Sequence, residues 1–233
     1  MNSFFALLLT LAIALAWLRM MDFAAHQGWI ESRLSRKIIH IGTGPIFVLC
    51  WLLFPGAWYD RYLAALVPGL ITAQFGLIGL GIIKDEASVK AMSRSGDPKE
   101  ILRGPLYYGI MFVLMTVLFW RNSPIGIVAL MMMCGGDGIA DIVGRSFKSP
   151  KLFHSPAKSV AGSLGVFFGG WILSALVLWV YVTRGGFPGP MTIYLLPLTI
   201  IAMMATIIES LPQRDIDNIT VTVASALLGG WLF

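Results

Sequence analysis

Eight long apolar runs divide this chain, and their number and spacing constrain its fold more than any single motif does. They cover residues 4–18, 38–54, 63–83, 106–120, 125–143, 160–182, 193–208 and 219–233. Crossing ~30 Å of hydrocarbon takes roughly 20 helical residues, so the shorter runs must borrow flanking residues, tilt or stop short. None of them alternates apolar and polar residues as barrel strands do. The expected fold is an all-α, polytopic integral membrane helical bundle of about eight transmembrane helices, with seven as the alternative. Residues 1–233 are expected to form a single membrane-embedded catalytic domain. Composition agrees: 57% of the chain is hydrophobic and only 12% charged, where soluble chains carry about 25% charged residues. That excludes both a water-soluble globular enzyme and a disordered chain. The first run lacks a basic flank and a small-residue cleavage site, so it is expected to remain as a helix.

The net charge of +5 would suggest nucleic acid in a soluble protein, but here it follows membrane orientation, and no nucleic acid partner is expected. If alternate loops share a side, one side collects 14 of the 17 Lys and Arg residues, and the other keeps only Arg61, Arg121 and Arg184. The basic side is then cytoplasmic, with both termini opposite it. Eleven of the 12 acids, all but Asp60, fall in or beside the same basic segments, so chemistry is expected at the cytoplasmic boundary. Trp51, Trp58, Trp120, Trp171, Trp179 and Trp231 fall near run ends, where an interfacial aromatic belt would place many of them. Cys50 and Cys134 lie inside apolar runs with no CxxC pattern and are expected as buried packing residues. The run Met131-Met132-Met133 reads as soft packing.

The densest signal is Gly135-Gly136-Asp137-Gly138-Ile139-Ala140-Asp141-Ile142-Val143-Gly144-Arg145. In a helix Asp137, Asp141 and Arg145 stack at i, i+4 and i+8. Two carboxylates so placed repel, and a divalent cation reverses that sign. Mg²⁺ in phosphoryl-transfer sites is held by one or two carboxylates plus substrate phosphates. Gly136 and Gly138 would let a backbone or ligand come close. The alternative is a structural helix end in which Asp137 or Asp141 pairs with Arg145. The loop that follows carries Lys148, Lys151, His154, Lys158, Ser159 and Ser163; together with the start of the next helix it would cradle phosphate oxygens. It is not a Walker loop, because Ala157 stands where that pattern needs glycine.

Glu209-Ser210-Leu211-Pro212-Gln213-Arg214-Asp215-Ile216-Asp217-Asn218 packs three acids and an amide between two apolar runs. Asp217 or Asn218 as the cap of the last helix is one reading; a carboxylate that serves the chemistry is the other. Two weaker segments are Arg36-Lys37-Ile38-Ile39-His40 and Lys99-Glu100-Ile101-Leu102-Arg103-Gly104-Pro105, each of which alone reads as a charged helix end.

Taken in order, the set Arg36-Lys37-x-x-His40, Glu100-x-x-Arg103-Gly104-Pro105-Leu106-Tyr107-Tyr108, Gly136-Asp137-Gly138-x-Ala140-Asp141-x-x-Gly144-Arg145, Lys158-Ser159-x-Ala161-Gly162-Ser163 and Glu209-x-x-Pro212-x-x-Asp215-x-Asp217-Asn218 resembles the phytol kinase branch of the polyprenol kinase family. That family is similar to dolichol kinases and, more remotely, to CDP-diacylglycerol synthases. The resemblance implies transfer of a phosphoryl group from CTP or UTP to a prenyl alcohol such as phytol, in a membrane lipid setting. By it, Asp137 and Asp141 hold Mg²⁺ or Mn²⁺. Lys158, Arg145, Ser159, Gly136, Gly138, Arg36, Lys37, Glu100 and Arg103 serve the nucleoside triphosphate. For the carboxylate near the alcohol the order of preference is Asp217, then Asp215 or Glu209, with His40 as a further candidate. A cytidylyltransferase making a CDP-lipid is the enzymatic alternative, and a small-solute or ion transporter the non-enzymatic one. The assembly state is open, with a homodimer as one expectation.

Overall fold

The structure is a computed structural model that describes residues 2–93, 95–212 and 215–233, the side chain of Ser32 excepted. Of the cations counted above on the basic side, Arg94 and Arg214 lie outside the described residues. Helix accounts for 78% of the chain, and a single two-stranded hairpin is the sheet present among the described residues. The fold is therefore an all-α membrane bundle. Seven of the described helical segments are long and apolar enough to cross a membrane. The eighth run also folds as a helix, but with 16 residues it reaches about 24 Å, short of ~30 Å of hydrocarbon. The chain divides into two compact units, residues 1–117 and 118–233.

In the first unit, α1 (Ser3–His26) starts where the Asn2 side chain accepts the Phe5 amide at 2.7 Å, as an N-cap does. It is followed by α2 (Ser32–Cys50), α3 (Asp60–Gly79), the short α4 (Glu86–Met92) and α5 (Gly104–Leu118). Asp60, the one acid outside the basic segments, is fully buried. Its Oδ2 accepts the amides of Gly56 at 2.7 Å and Ala57 at 2.8 Å, which ties the turn before α3. Cys50 is buried and free, as expected of a packing residue.

The second unit is built around its first span, Pro124–Ser146, the most enclosed of the seven. That span is α6 (Pro124–Met131), a π-helical turn (Met132–Asp137) and α7 (Gly138–Ser146). Every residue from Ile127 to Cys134 is at most 1% exposed, so the methionine run and Cys134 are core. Around it stand α8 (Val160–Thr183), α9 (Thr192–Ser210) and α10 (Asp217–Leu232). Lipid tails are as apolar as leucine, so helices in a membrane associate by close packing of small residues. Here the small residues are glycines: a methyl added to Gly135 would lie 2.5 Å from the Gly169 carbonyl oxygen, and one added to Gly165 would lie 2.9 Å from the Ala140 Cα. Gly135→Ala is accordingly expected to lower stability by about 1–3 kcal/mol through overpacking, read as an earlier thermal transition in detergent. An unchanged transition would show that the π-helical turn and α8 do not need this approach.

Two expectations change. Trp51 and Trp120 are core residues at 0% and 3% exposure rather than members of an interfacial belt, while Trp58 and Trp231 are 79% and 90% exposed. The loop between α7 and α8 is also ordered as a hairpin, β1 (Lys151–Leu152) pairing antiparallel with β2 (Ser155–Ser159).

Candidate functional site

The carboxylates that the second unit gathers come from three separate elements. Asp137 ends the π-helical turn, Glu209 lies in the last turn of α9, and Asp217 opens α10. One oxygen from each lies within 4.8 Å of the others, an arrangement able to hold a metal ion. The π turn matters locally, because widening one turn inside an otherwise α-helical span re-aims the residues that follow it, and such turns recur at functional sites. Glu209 is buried. Asp217 stands at the positive end of the α10 dipole, where an anionic side chain is favoured, and its Oδ1 accepts the Asn218 amide at 3.0 Å. The cap position before it is Ile216, so neither Asp217 nor Asn218 is the cap residue.

Lys158, on β2, donates to Glu209 Oε1 at 2.9 Å with both side chains largely enclosed. Three like charges this close repel strongly in a medium of low dielectric, and the ammonium offsets part of that repulsion. His154 on the hairpin meets Ser210 at 3.2 Å between Nε2 and Oγ, a second link between the hairpin and the end of α9.

Asp141 and Arg145 are placed differently. The Arg145 Nε donates to Asp141 Oδ1 at 2.9 Å across one helical turn, the pairing that the structural alternative foresaw, and Asp141 is not in the three-carboxylate group. Ser159 is the cap of α8, its Oγ accepting the Gly162 amide at 3.2 Å. The two preceding amides are also taken within the chain: Val160 donates to the Pro150 carbonyl and Ala161 to Ser149 Oγ, each at 3.0 Å. The first three amides of α8 thus serve the loop's own fold. Gly136 lies against Val166 of α8, where an added methyl would come within 3.2 Å of Cγ1. Gly136 and Gly138 are both buried, and at Gly136 the close neighbour is α8. Asp215 has a left-handed backbone with φ of 65°, a region Asp tolerates better than most residues, and is partly buried just ahead of α10.

The remaining sequence candidates belong to the first unit. His40 lies on α2 with its ring 4.3 Å from that of Tyr108, and the Tyr108 hydroxyl donates to the His40 carbonyl at 2.7 Å. Arg36 and Lys37 are half-buried on the same helix. Glu100 accepts the Ser95 hydroxyl at 3.0 Å and its amide at 3.2 Å, and Arg103 closes the 3₁₀ turn before α5. Sequence reasoning assigned Tyr108 no role. Nor did it see that Glu209 joins Asp137 or that Lys158 pairs with Glu209, because these contacts join positions 51 and more residues apart. The available signal was chemical: Glu209 is the one acid inside the apolar run 193–208 and its flank.

The Asp217 carboxylate can be tested apart from helix stability. Asp217→Asn keeps an acceptor for the Asn218 amide and removes the charge, so activity should fall at least about tenfold while the melting temperature holds within the effect of a weak dipole contact, about 0.3–1 kcal/mol. Near-normal activity would leave Asp217 a structural carboxylate.

No family model matches the chain, and no solved structure matches it. Curated proteins do. The chain is 43% identical over 230 residues to the probable phytol kinase 1, chloroplastic, of Oryza sativa subsp. japonica, covering 98% of this chain and 73% of that protein. It is 42% identical over 200 residues to phytol kinase 1, chloroplastic, of Arabidopsis thaliana, covering 85% of this chain and 66% of the relative. With the farnesol kinase, chloroplastic, of Arabidopsis thaliana it shares 40% identity over 211 residues, 89% of this chain and 68% of that one. With identity at this level over nearly the whole chain, the chain belongs to the phytol kinase branch of the polyprenol kinase family.

Proposed function

We propose that this chain transfers the γ-phosphoryl group of CTP, or of UTP, to the hydroxyl of a membrane prenyl alcohol such as phytol. The products are the alcohol monophosphate and the nucleoside diphosphate. Family membership makes it a kinase with an alcohol acceptor. The observation that carries the mechanism is the group formed by Asp137, Glu209 and Asp217 beside Lys158.

The donor set fits a hard divalent cation. All three ligands are carboxylate oxygens, which suit Mg²⁺ or Mn²⁺ and not a soft metal, and they converge from three separate elements. When bound there, such a cation would neutralise charge developing on the transferred phosphoryl group. The chain's own residues do the rest by position. The Lys158 ammonium stands at the edge of the carboxylates and can donate to a phosphate oxygen as it donates to Glu209. Arg145, with its side chain 63% exposed, offers a second cation one turn beyond Asp141. As the alcohol oxygen bonds to the γ-phosphorus, the bond from that phosphorus to the bridging oxygen breaks and the diphosphate leaves. The hydroxyl proton passes to a carboxylate, for which Asp217 is first choice. A role for Arg36, Lys37, Glu100 and Arg103 toward the nucleotide is carried over from the motif alone. The 14 to 3 division of cations supports a site at the cytoplasmic boundary, and a part in tocopherol salvage follows from phytol as substrate.

The arrangement suits its substrates, since a prenyl tail stays in hydrocarbon while its hydroxyl reaches the interface and the nucleotide arrives from water. The test is direct: protein reconstituted in lipid nanodiscs receives CTP, UTP or ATP labelled at the γ-phosphate, with a panel of prenyl alcohols. Label should enter the lipid product with release of CDP or UDP. Release of pyrophosphate with unlabelled lipid product would mean nucleotidyl transfer instead.

A further inference from the structure

The hairpin between α7 and α8 carries a feature that the phosphoryl-transfer chemistry leaves unused. Phe153, at its tip, is 95% exposed, and Phe147, where the loop leaves α7, is 64% exposed. Lys148 and Lys151 lie between them in sequence, both exposed. A single exposed aromatic is ordinary on a protein surface, but two exposed phenylalanines with two exposed lysines between them on one short excursion combine apolar and cationic surface.

Chain connectivity says what that tip faces. The excursion leaves one candidate span at Ser146 and returns to the next at Val160, so residue 153 is at most ~25 Å from either span end even if the chain were fully extended. Pairing of β1 with β2 shortens that reach. That reach lets the tip meet the headgroup layer, where aromatic side chains settle and Lys side chains meet anionic headgroups. The hairpin is also held firmly from below. Val160 donates to the Pro150 carbonyl, Ala161 to Ser149 Oγ, and His154 meets Ser210. The same strand that follows Phe153 delivers Lys158 to Glu209.

We propose that this hairpin docks on the bilayer surface, Phe153 and Phe147 entering the boundary between headgroups and acyl chains while Lys148 and Lys151 engage anionic lipid headgroups. So docked, it forms the lip over which a lipid-borne alcohol presents its hydroxyl to the carboxylates; this second part rests on the proposed kinase reading. The bilayer is favoured over a protein partner because both ends of the hairpin are fixed at the membrane boundary and its charge matches anionic lipid.

The experiment has two arms. In the first, Phe153→Cys is labelled with an environment-sensitive nitrobenzoxadiazole probe in nanodiscs of phosphatidylcholine with and without phosphatidylglycerol; the burial of Cys50 and Cys134 keeps the label at the tip. Lipids carrying a shallow doxyl group should quench the probe, aqueous iodide should not, and phosphatidylglycerol should strengthen the lipid quenching. Free quenching by iodide with none from doxyl lipid would overturn docking, whatever the enzyme's activity. In the second arm, Phe153→Ser should raise the KM for bilayer-borne phytol by about five- to tenfold with kcat within about twofold and an unchanged KM for a short, water-soluble prenyl alcohol. An unchanged KM for phytol would overturn the lip. If no alcohol is phosphorylated at all, the kinase reading fails while the quenching arm still decides docking.

Discussion

Asp137→Asn is expected to abolish metal-dependent turnover, with a loss of at least about a hundredfold, because it removes one of three converging anions while keeping the side chain's size. Glu209→Gln should do the same. Binding of Mn²⁺, followed by its spin resonance signal in the absence of nucleotide, should weaken in parallel. Folding should survive, since an amide relieves repulsion among carboxylates held within 4.8 Å, and thermal stability in a chelator should hold or rise. The informative comparison is Asp141→Asn. Asp141 already pairs with Arg145 at 2.9 Å on a partly exposed helix face, so its loss should cost a small fraction of what Asp137→Asn costs. Equal losses at the two positions would return Asp141 to the metal set that the i, i+4 spacing first suggested. Full activity in Asp137→Asn would show the cluster to be structural.

Lys158→Ala is expected to act on both catalysis and stability. A charge-assisted contact to phosphate is worth roughly 1.5–3 kcal/mol, which is about one to two decades in kcat/KM. The same change strips Glu209 of its ion partner in a largely enclosed position. Removing one partner of a buried pair costs about 3–5 kcal/mol, and the residual exposure of 18% and 10% on the two side chains brings the expected figure toward the lower end. The melting temperature should therefore fall in chelator and recover when Mg²⁺ or Mn²⁺ is added, because a divalent cation neutralises the carboxylate that the lysine left. Lys151→Ala, which removes an exposed cation of the same loop, should cost far less in kcat/KM and leave the melting temperature unchanged. A destabilised Lys158→Ala that metal fails to rescue would mean the pair is a packing feature unconnected with cation binding.

Much of the fold was legible because lipid imposes a simple rule. A backbone in hydrocarbon must satisfy its own hydrogen bonds, so an apolar run of sufficient length becomes a helix, and each of the eight runs contains the body of one. The two cysteines and the methionine run could be read as core for the same reason. Elements outside that rule were less legible. The hairpin at 151–159 arises from the pairing of β1 with β2 and from the capping of α8, neither of which leaves a periodic signal in a segment of Lys, Ser and Pro. Trp51 and Trp120 sit at run ends like the exposed tryptophans, and only the neighbours packed over them make them core.

For the site, residue type and order were enough to single out Asp137, Lys158, Glu209 and Asp217, since charged groups inside or against apolar helices are costly to keep. Their division of labour was not. Spacing along one helix joined Asp137 to Asp141, because i, i+4 neighbours are the only contacts that a linear pattern can propose. The tertiary structure instead joins Asp137 to acids at the ends of two other helices and leaves Asp141 with Arg145. The glycines around Asp137 were legible as places of close approach, but what approaches is the backbone of α8. The sequence by itself determined that this is a helical membrane protein, because burial costs depend on residue type. Which acids converge and which of them Lys158 meets were decided by the tertiary packing of the second unit, because electrostatic partnership depends on distance through space.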